Sequence, residues 1–178
     1  MGESGGKCVI LKPISRGLTK MRLLGNIEAK TDSKGRVFLP AAFRKVLQGE
    51  SSDTLVLRKD VYQPCLTLYP ESAWSKQMDF LCSKINRWNP AHQQIYRQFL
   101  SAVELVTPDS SGRILIPKRL LESAEIRQGI RFIGMGDYIE IWSSENTVKP
   151  FVSHEEFTDA LEHLLSDQAP TPGGQPCK

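Results

Sequence analysis

Nine residues, Asp32–Pro40 (D-S-K-G-R-V-F-L-P), return 77 positions later as Asp109–Pro117 (D-S-S-G-R-I-L-I-P). Asp, Ser, Gly, Arg and Pro are identical at that one offset, and every position between Arg and Pro is apolar in both copies. A period of this kind outside low-complexity sequence marks a duplicated structural unit. Each unit reads as a tight turn, a short strand and a proline stop. Asp32 and Asp109 can bond the backbone ahead of them, and Gly35 and Gly112 accept the positive φ that such turns need. Pro40 and Pro117 cannot donate to a strand ladder but suit the first turn of a helix. A chain built this way sets one arginine, Arg36 or Arg113, at a fixed geometry twice, as a reader of a repeating polymer requires.

The flanks repeat as well. In the first half, alternation over Asn26–Lys30 predicts a strand. Arg36–Leu39 is a second strand, Ala41–Leu47 a short helix, and Thr54–Arg58 and Cys65–Tyr69 two further strands. In the second half the order is Ser101–Thr107, Arg113–Ile116, the helix Pro117–Glu122, then Ile130–Ile133 and Tyr138–Trp142 around a turn at Gly134–Asp137. Between the halves, Pro70–Val103 reads as two helices. Trp74, Met78, Leu81 and Ile85 form one apolar stripe, Ile95, Phe99 and Leu100 another, and both stripes are expected to pack into a core. Asn89-Pro90 is a cap with proline at the first helical position. Ser153–Glu156 is a capping box opening a C-terminal helix with Phe157, Leu161 and Leu164 on one side. The expected domains are therefore a flexible basic arm (1–20, with Met21 a candidate internal start), a first β-rich repeat (26–73), a helical linker (74–101), a second repeat (102–145), and a helix with a disordered Pro/Gly-rich tail (146–178).

Charge is distributed unevenly. Over residues 30–45, Lys30, Lys34, Arg36, Arg44 and Lys45 face Asp32 alone. Over residues 151–178, Glu155, Glu156, Asp159, Glu162 and Asp167 face Lys178 alone. A basic patch on the first motif and an acidic tail fit a polyanion-facing surface, and they also fit two solvated faces. Enzyme signatures are missing from the sequence. His92, His154 and His163 are scattered, His154-Glu155-Glu156 lacks the second histidine of a zinc helix, and there is no phosphate-cradling glycine loop. Cys8, Cys65, Cys82 and Cys177 show no metal-ligand spacing and read as reduced thiols, Cys65 as a small core residue. No apolar run approaches the ~18 residues of a membrane span. The expectation is a soluble intracellular protein with no catalytic residue, no metal, no cofactor and no small-molecule substrate.

The motif itself allows two readings. An Asp–Arg ion pair across a tight turn stiffens the loop and need do nothing else. Alternatively, the braced turn presents the guanidinium, whose planar fork suits phosphate or the O6/N7 edge of guanine. Lys34 and Arg44 would then support Arg36, and Lys118 and Arg119 would support Arg113, as phosphate contacts.

D-x-x-G-R-x-x-x-P followed by a short helix resembles the SpoVT/AbrB-type swapped-hairpin DNA-binding domain. Two copies joined by helices resemble the MraZ family. Cys65–Pro70 with Trp74, Ala102–Glu104 before the second motif, and Gly136–Trp142 extend the resemblance over about Met21–Trp142. The resemblance implies an α+β fold, with two swapped-hairpin repeats forming a double-psi-like β-barrel pseudo-dimer joined by a helical hairpin. It implies a cytoplasmic, nucleoid-associated transcriptional regulator that binds direct repeats in double-stranded DNA upstream of its own division and cell-wall gene cluster and represses it. It implies ring-shaped homo-oligomers with no membrane partner. Asp32, Arg36, Asp109 and Arg113 match the family's motif residues. The rival class is a protein-interaction module of antitoxin type, for which one such domain and a long peptide-like tail would be expected.

Overall fold

The computed structural model describes residues 22–145 and 152–166. The arm at 1–20 and the Pro/Gly-rich tail lie outside them. The first half contains β1 (Leu23–Lys30), β2 (Arg36–Phe38), α1 (Ala41–Leu47), β3 (Leu55–Lys59) and β4 (Leu66–Pro70). Two helices follow, α2 (Glu71–Lys84) and α3 (Pro90–Ser101). The second half contains β5 (Val103–Val106), β6 (Arg113–Leu115), α4 (Lys118–Ser123), β7 (Gly129–Gly136) and β8 (Ile139–Ser143), before α5 (His154–Ser166). The protein is a mixed α+β fold, and every strand pair described is antiparallel.

Prolines set the strand-to-helix switches. Pro40, Pro70 and Pro117 stand immediately before α1, α2 and α4 with φ of −53°, −60° and −56° and extended ψ. The ring fixes φ and removes the donor a strand would need, so the chain leaves the sheet there. Asn89 caps α3 as expected, its Oδ1 accepting from the amides of Ala91 (2.9 Å) and His92 (3.4 Å).

The strands form one six-stranded sheet in the order β1-β7-β8-β4-β3-β5, and a two-stranded ribbon, β2-β6. Strands of the two halves interleave. The first strand of one half pairs with the third of the other, as β1 with β7 and β5 with β3. The last strands, β4 and β8, meet at the centre. Exchanging the two halves' strands leaves this order unchanged, so the sheet has approximate two-fold symmetry.

The core lies between the sheet and the ribbon with its short helices. Leu57, Leu66, Ile130, Phe132, Ile139 and Ile141 from the sheet meet Val37, Leu39, Phe43, Ile114 and Ile116, all buried. Phe43 and Phe132 pack edge to face at 6.4 Å. Cys65 is buried, as expected of a small core residue, and burial pushes its thiol up to about 12.

Two expectations are corrected. The sequence places a turn at Gly134–Asp137, yet β7 runs on through Gly136, and Met135 N–H bonds the Tyr138 carbonyl to close the hairpin. Gly134 serves close approach instead: a Cβ there would lie 2.5 Å from the Leu23 carbonyl of β1. The linker helices, expected to pack their stripes into a core, contain no buried residue. Only the ends joined to the sheet lie on it. Trp74 stacks on Phe99 (5.9 Å) and touches Tyr69 (5.6 Å), while the Arg58 guanidinium lies 3.8 Å over the Phe99 ring. The far end leaves Phe80 and Trp88 exposed. The capping box of α5 forms as read: Ser153 Oγ accepts from Glu156 N–H, and Glu156 accepts from Ser153 N–H.

Candidate nucleic-acid interface

The two motif turns have the same hydrogen-bond scheme. Asp32 Oδ1 accepts from the amides of Lys34 and Arg36 (2.9 Å each), and its Oδ2 accepts from Arg36 Nε at 2.7 Å. Asp109 Oδ1 accepts from Ser111 (2.8 Å) and Arg113 (3.0 Å), and its Oδ2 from Arg113 Nε at 2.8 Å. The Gly35 and Gly112 amides close each turn onto the Asp carbonyls, with φ of +84° and +78°. Both carboxyls are held below the ordinary carboxylate value of 3.8, chiefly by the backbone N–H of the partner arginine. The Asp–Arg ion pair forms across each turn, as the first reading expects. Nε is taken by the carboxylate, so the Nη1/Nη2 edge, the one that forks onto paired acceptors, is left for an outside ligand.

The ribbon brings the two turns together. Arg36 lies opposite Leu115, Val37 opposite Ile114, and Phe38 opposite Arg113. Val37 and Ile114 point into the core, so Arg36, Phe38, Arg113 and Leu115 share the outward face. The arginines are diagonal neighbours, a relationship that sets Cα atoms roughly 7–8 Å apart. Backbone bonds lock the halves here too: Leu39 N–H bonds the Gly112 carbonyl (3.0 Å), and Ile116 N–H bonds that of Gly35 (2.9 Å).

The supporting cations do not sit where sequence proximity places them. Arg44, expected beside Arg36, packs instead on the second turn: a Cβ at Gly112 would lie 2.5 Å from its Nη1. It lines a cleft with Asp109 and Ser110. Lys118, expected beside Arg113, lines a cleft with Asp32, Ser33 and Gly35 of the first turn. Each short helix therefore serves the other half's motif. Lys34 is exposed on its own turn. Arg119 pairs with Glu104 across to β5. Arg127 joins Lys118 in the first-turn cleft, and no sequence signal marked it. Phe38 and Leu115 were also missed, because V-F-L and I-L-I are apolar at every position and do not reveal which side faces out.

A family model for MraZ proteins, described as antitoxin-like, matches residues 23–98 and again 99–165. The chain belongs to the MraZ family. It is 57% identical over 148 residues to the transcriptional regulator MraZ of Bacteroides thetaiotaomicron, covering 83% of this chain and 95% of that protein. It is 59% identical over 145 residues to that of Phocaeicola vulgatus, covering 82% and 94%. The MraZ of Pectobacterium carotovorum subsp. carotovorum is more distant, 30% identical over 137 residues, covering 77% and 90%. Each MraZ match takes in one motif turn, which agrees with the repeat read from the sequence. No described helix is long and apolar enough to cross a membrane.

Proposed function

We propose that this chain is a sequence-specific, DNA-binding transcriptional regulator, and that Arg36 and Arg113 read base edges. The observation that carries this is the pair of Asp-braced arginines on one outward ribbon. A two-stranded ribbon fits the major groove, and Arg is the side chain that forks onto guanine there. Lys34, Arg44 and Lys118, with Arg127, supply phosphate contacts, and Asp32, Gly35, Asp109 and Gly112 hold the turns. The β1–β7 and β5–β3 exchange supports the swapped-hairpin pseudo-dimer that the family resemblance implies.

The repeats are chemically unequal. Lys34 corresponds to Ser111, Arg44 to Leu121, and Phe38 to Leu115. A ribbon with unlike halves has a direction, which favours direct repeats over palindromes. As the family resemblance implies, the operator is a set of promoter-proximal direct repeats upstream of the chain's own division and cell-wall gene cluster, and binding there represses it. The unburied linker helices and α5 support a homo-oligomer; its closing into a ring and its place in the cytoplasm at the nucleoid are what the family resemblance implies.

A gel shift of the purified chain on its own upstream DNA tests this. Arg36→Ala and Arg113→Ala should each cost ~1–3 kcal/mol of discrimination. Lys118→Ala should weaken all sequences alike and lower the salt slope by about one. Unchanged binding by the Arg36/Arg113 double variant would sink the assignment. The antitoxin-type reading draws on the family model's antitoxin-like description and on the same exposed apolar stripe of α5, and would be favoured by a chain that binds a protein partner and no DNA.

A further inference from the structure

Phe38 is 59% exposed and Leu115 54% exposed, although their strand neighbours Val37 and Ile114 are almost wholly buried. Single exposed apolar residues are ordinary. These two differ because they occupy the same position in both repeats, and each lies directly opposite an arginine: Phe38 across from Arg113, Leu115 across from Arg36. The Arg113 guanidinium carbon is 5.6 Å from the Phe38 ring centroid. Strand propensity alone would be met as well by Thr or Val, without leaving a ring in water.

We propose that Phe38 and Leu115 are specificity-determining residues that pack on thymine methyl groups beside the bases read by the arginines. The inference rests on the DNA reading above. In the major groove, the apolar group that a base pair offers is the thymine C5 methyl. Residues directly opposite on a ribbon have Cβ atoms roughly 4.5–5.5 Å apart. That separation is one to two base steps at about 3.4 Å per step. An arginine on guanine therefore sets its apolar partner over a neighbouring base pair, and the element should contain guanine and thymine within a step or two of each other. Phenylalanine and leucine differ in size, so the two ends should tolerate methyl loss unequally.

The test uses the full chain and the duplex upstream of its own gene, amplified once with thymidine triphosphate and once with deoxyuridine triphosphate. Uracil keeps every hydrogen-bonding group of thymine and lacks only the methyl. The chain should bind the uracil duplex more weakly, by about four-fold per methyl contacted. Phe38→Ala and Leu115→Ala should lose similar factors on the thymine duplex and match the unsubstituted chain on the uracil duplex. Both sites are exposed, so both variants should fold. Variants that weaken both duplexes by the same factor, or neither, would overturn the methyl assignment while leaving DNA binding intact. An unsubstituted chain that binds neither duplex would overturn the DNA reading and this inference with it.

Discussion

The two motif glycines look alike in sequence but are constrained by different atoms. A Cβ at Gly35 would meet the Ile116 carbonyl, a backbone atom, at 2.5 Å. A Cβ at Gly112 would meet the Arg44 side chain, which can move. Both carry positive φ, which costs an ordinary residue ~1–2 kcal/mol. Gly35→Ala should therefore destabilise the fold by more than that figure, and Gly112→Ala should cost less while displacing Arg44. Thermal unfolding of the pair checks this, and equal losses would contradict it. The aspartates make a second prediction. Their folded-state values lie below 3.8, so the ionised carboxylate is the form the turns favour. Their contribution to stability is complete above that ordinary value and is lost as pH falls through the depressed one. The Gly35 and Gly112 amide resonances should hold steady from neutrality down to the ordinary value and move only below it. A transition nearer neutrality would show that some other group holds the turns.

Among the described elements, α5 buries none of its residues. Its described residues are all exposed, with Phe157, Leu161, Leu164 and Leu165 at 42–66%. A helix of this length is marginal in water unless an apolar face is covered. Covering it in a neighbouring copy would account for it, and that gives a separable effect. Leu161→Glu should lower the assembly state seen by light scattering while leaving the unfolding free energy of the isolated chain within ~0.5 kcal/mol. A full-size assembly in that variant would remove α5 from the interface. The linker helices teach a related point. Periodicity correctly located both, but an apolar stripe shows only that something covers a face, not that the cover is the same chain's core.

On the scale of the whole molecule, one chain offers one ribbon, and one ribbon makes few contacts. Joining several ribbons raises affinity through effective concentration without any new contact. Successive repeats should then lie about one helical turn (~10–10.5 bp) apart so that neighbouring subunits face the same side of the duplex. Inserting half a turn between repeats should cut affinity sharply in a gel shift, and a full turn should cut it less. Binding indifferent to repeat number and phase would leave a ribbon that binds DNA singly.

What the sequence determined by itself is what residue types settle within a few positions of one another. The Asp-to-Arg brace, the glycine turns, the proline switches, the Asn89 cap and the Ser153–Glu156 box all form as read, because each depends on bonds or backbone angles set within a few positions of the residue itself. Strand positions followed from the same local signals, with ends shifted by a few residues, outward at β1 and β7 and inward at β2, β5 and β6. What tertiary structure decided is which half completes which site. Arg44 reached the second turn and Lys118 the first because β2 pairs with β6, and the backbone bonds from Leu39 to Gly112 and from Ile116 to Gly35 set the start of each short helix against the other half's turn. The outward face of the ribbon was settled the same way: V-F-L and I-L-I are apolar throughout, so only the register against the core turned Phe38 and Leu115 out beside the arginines.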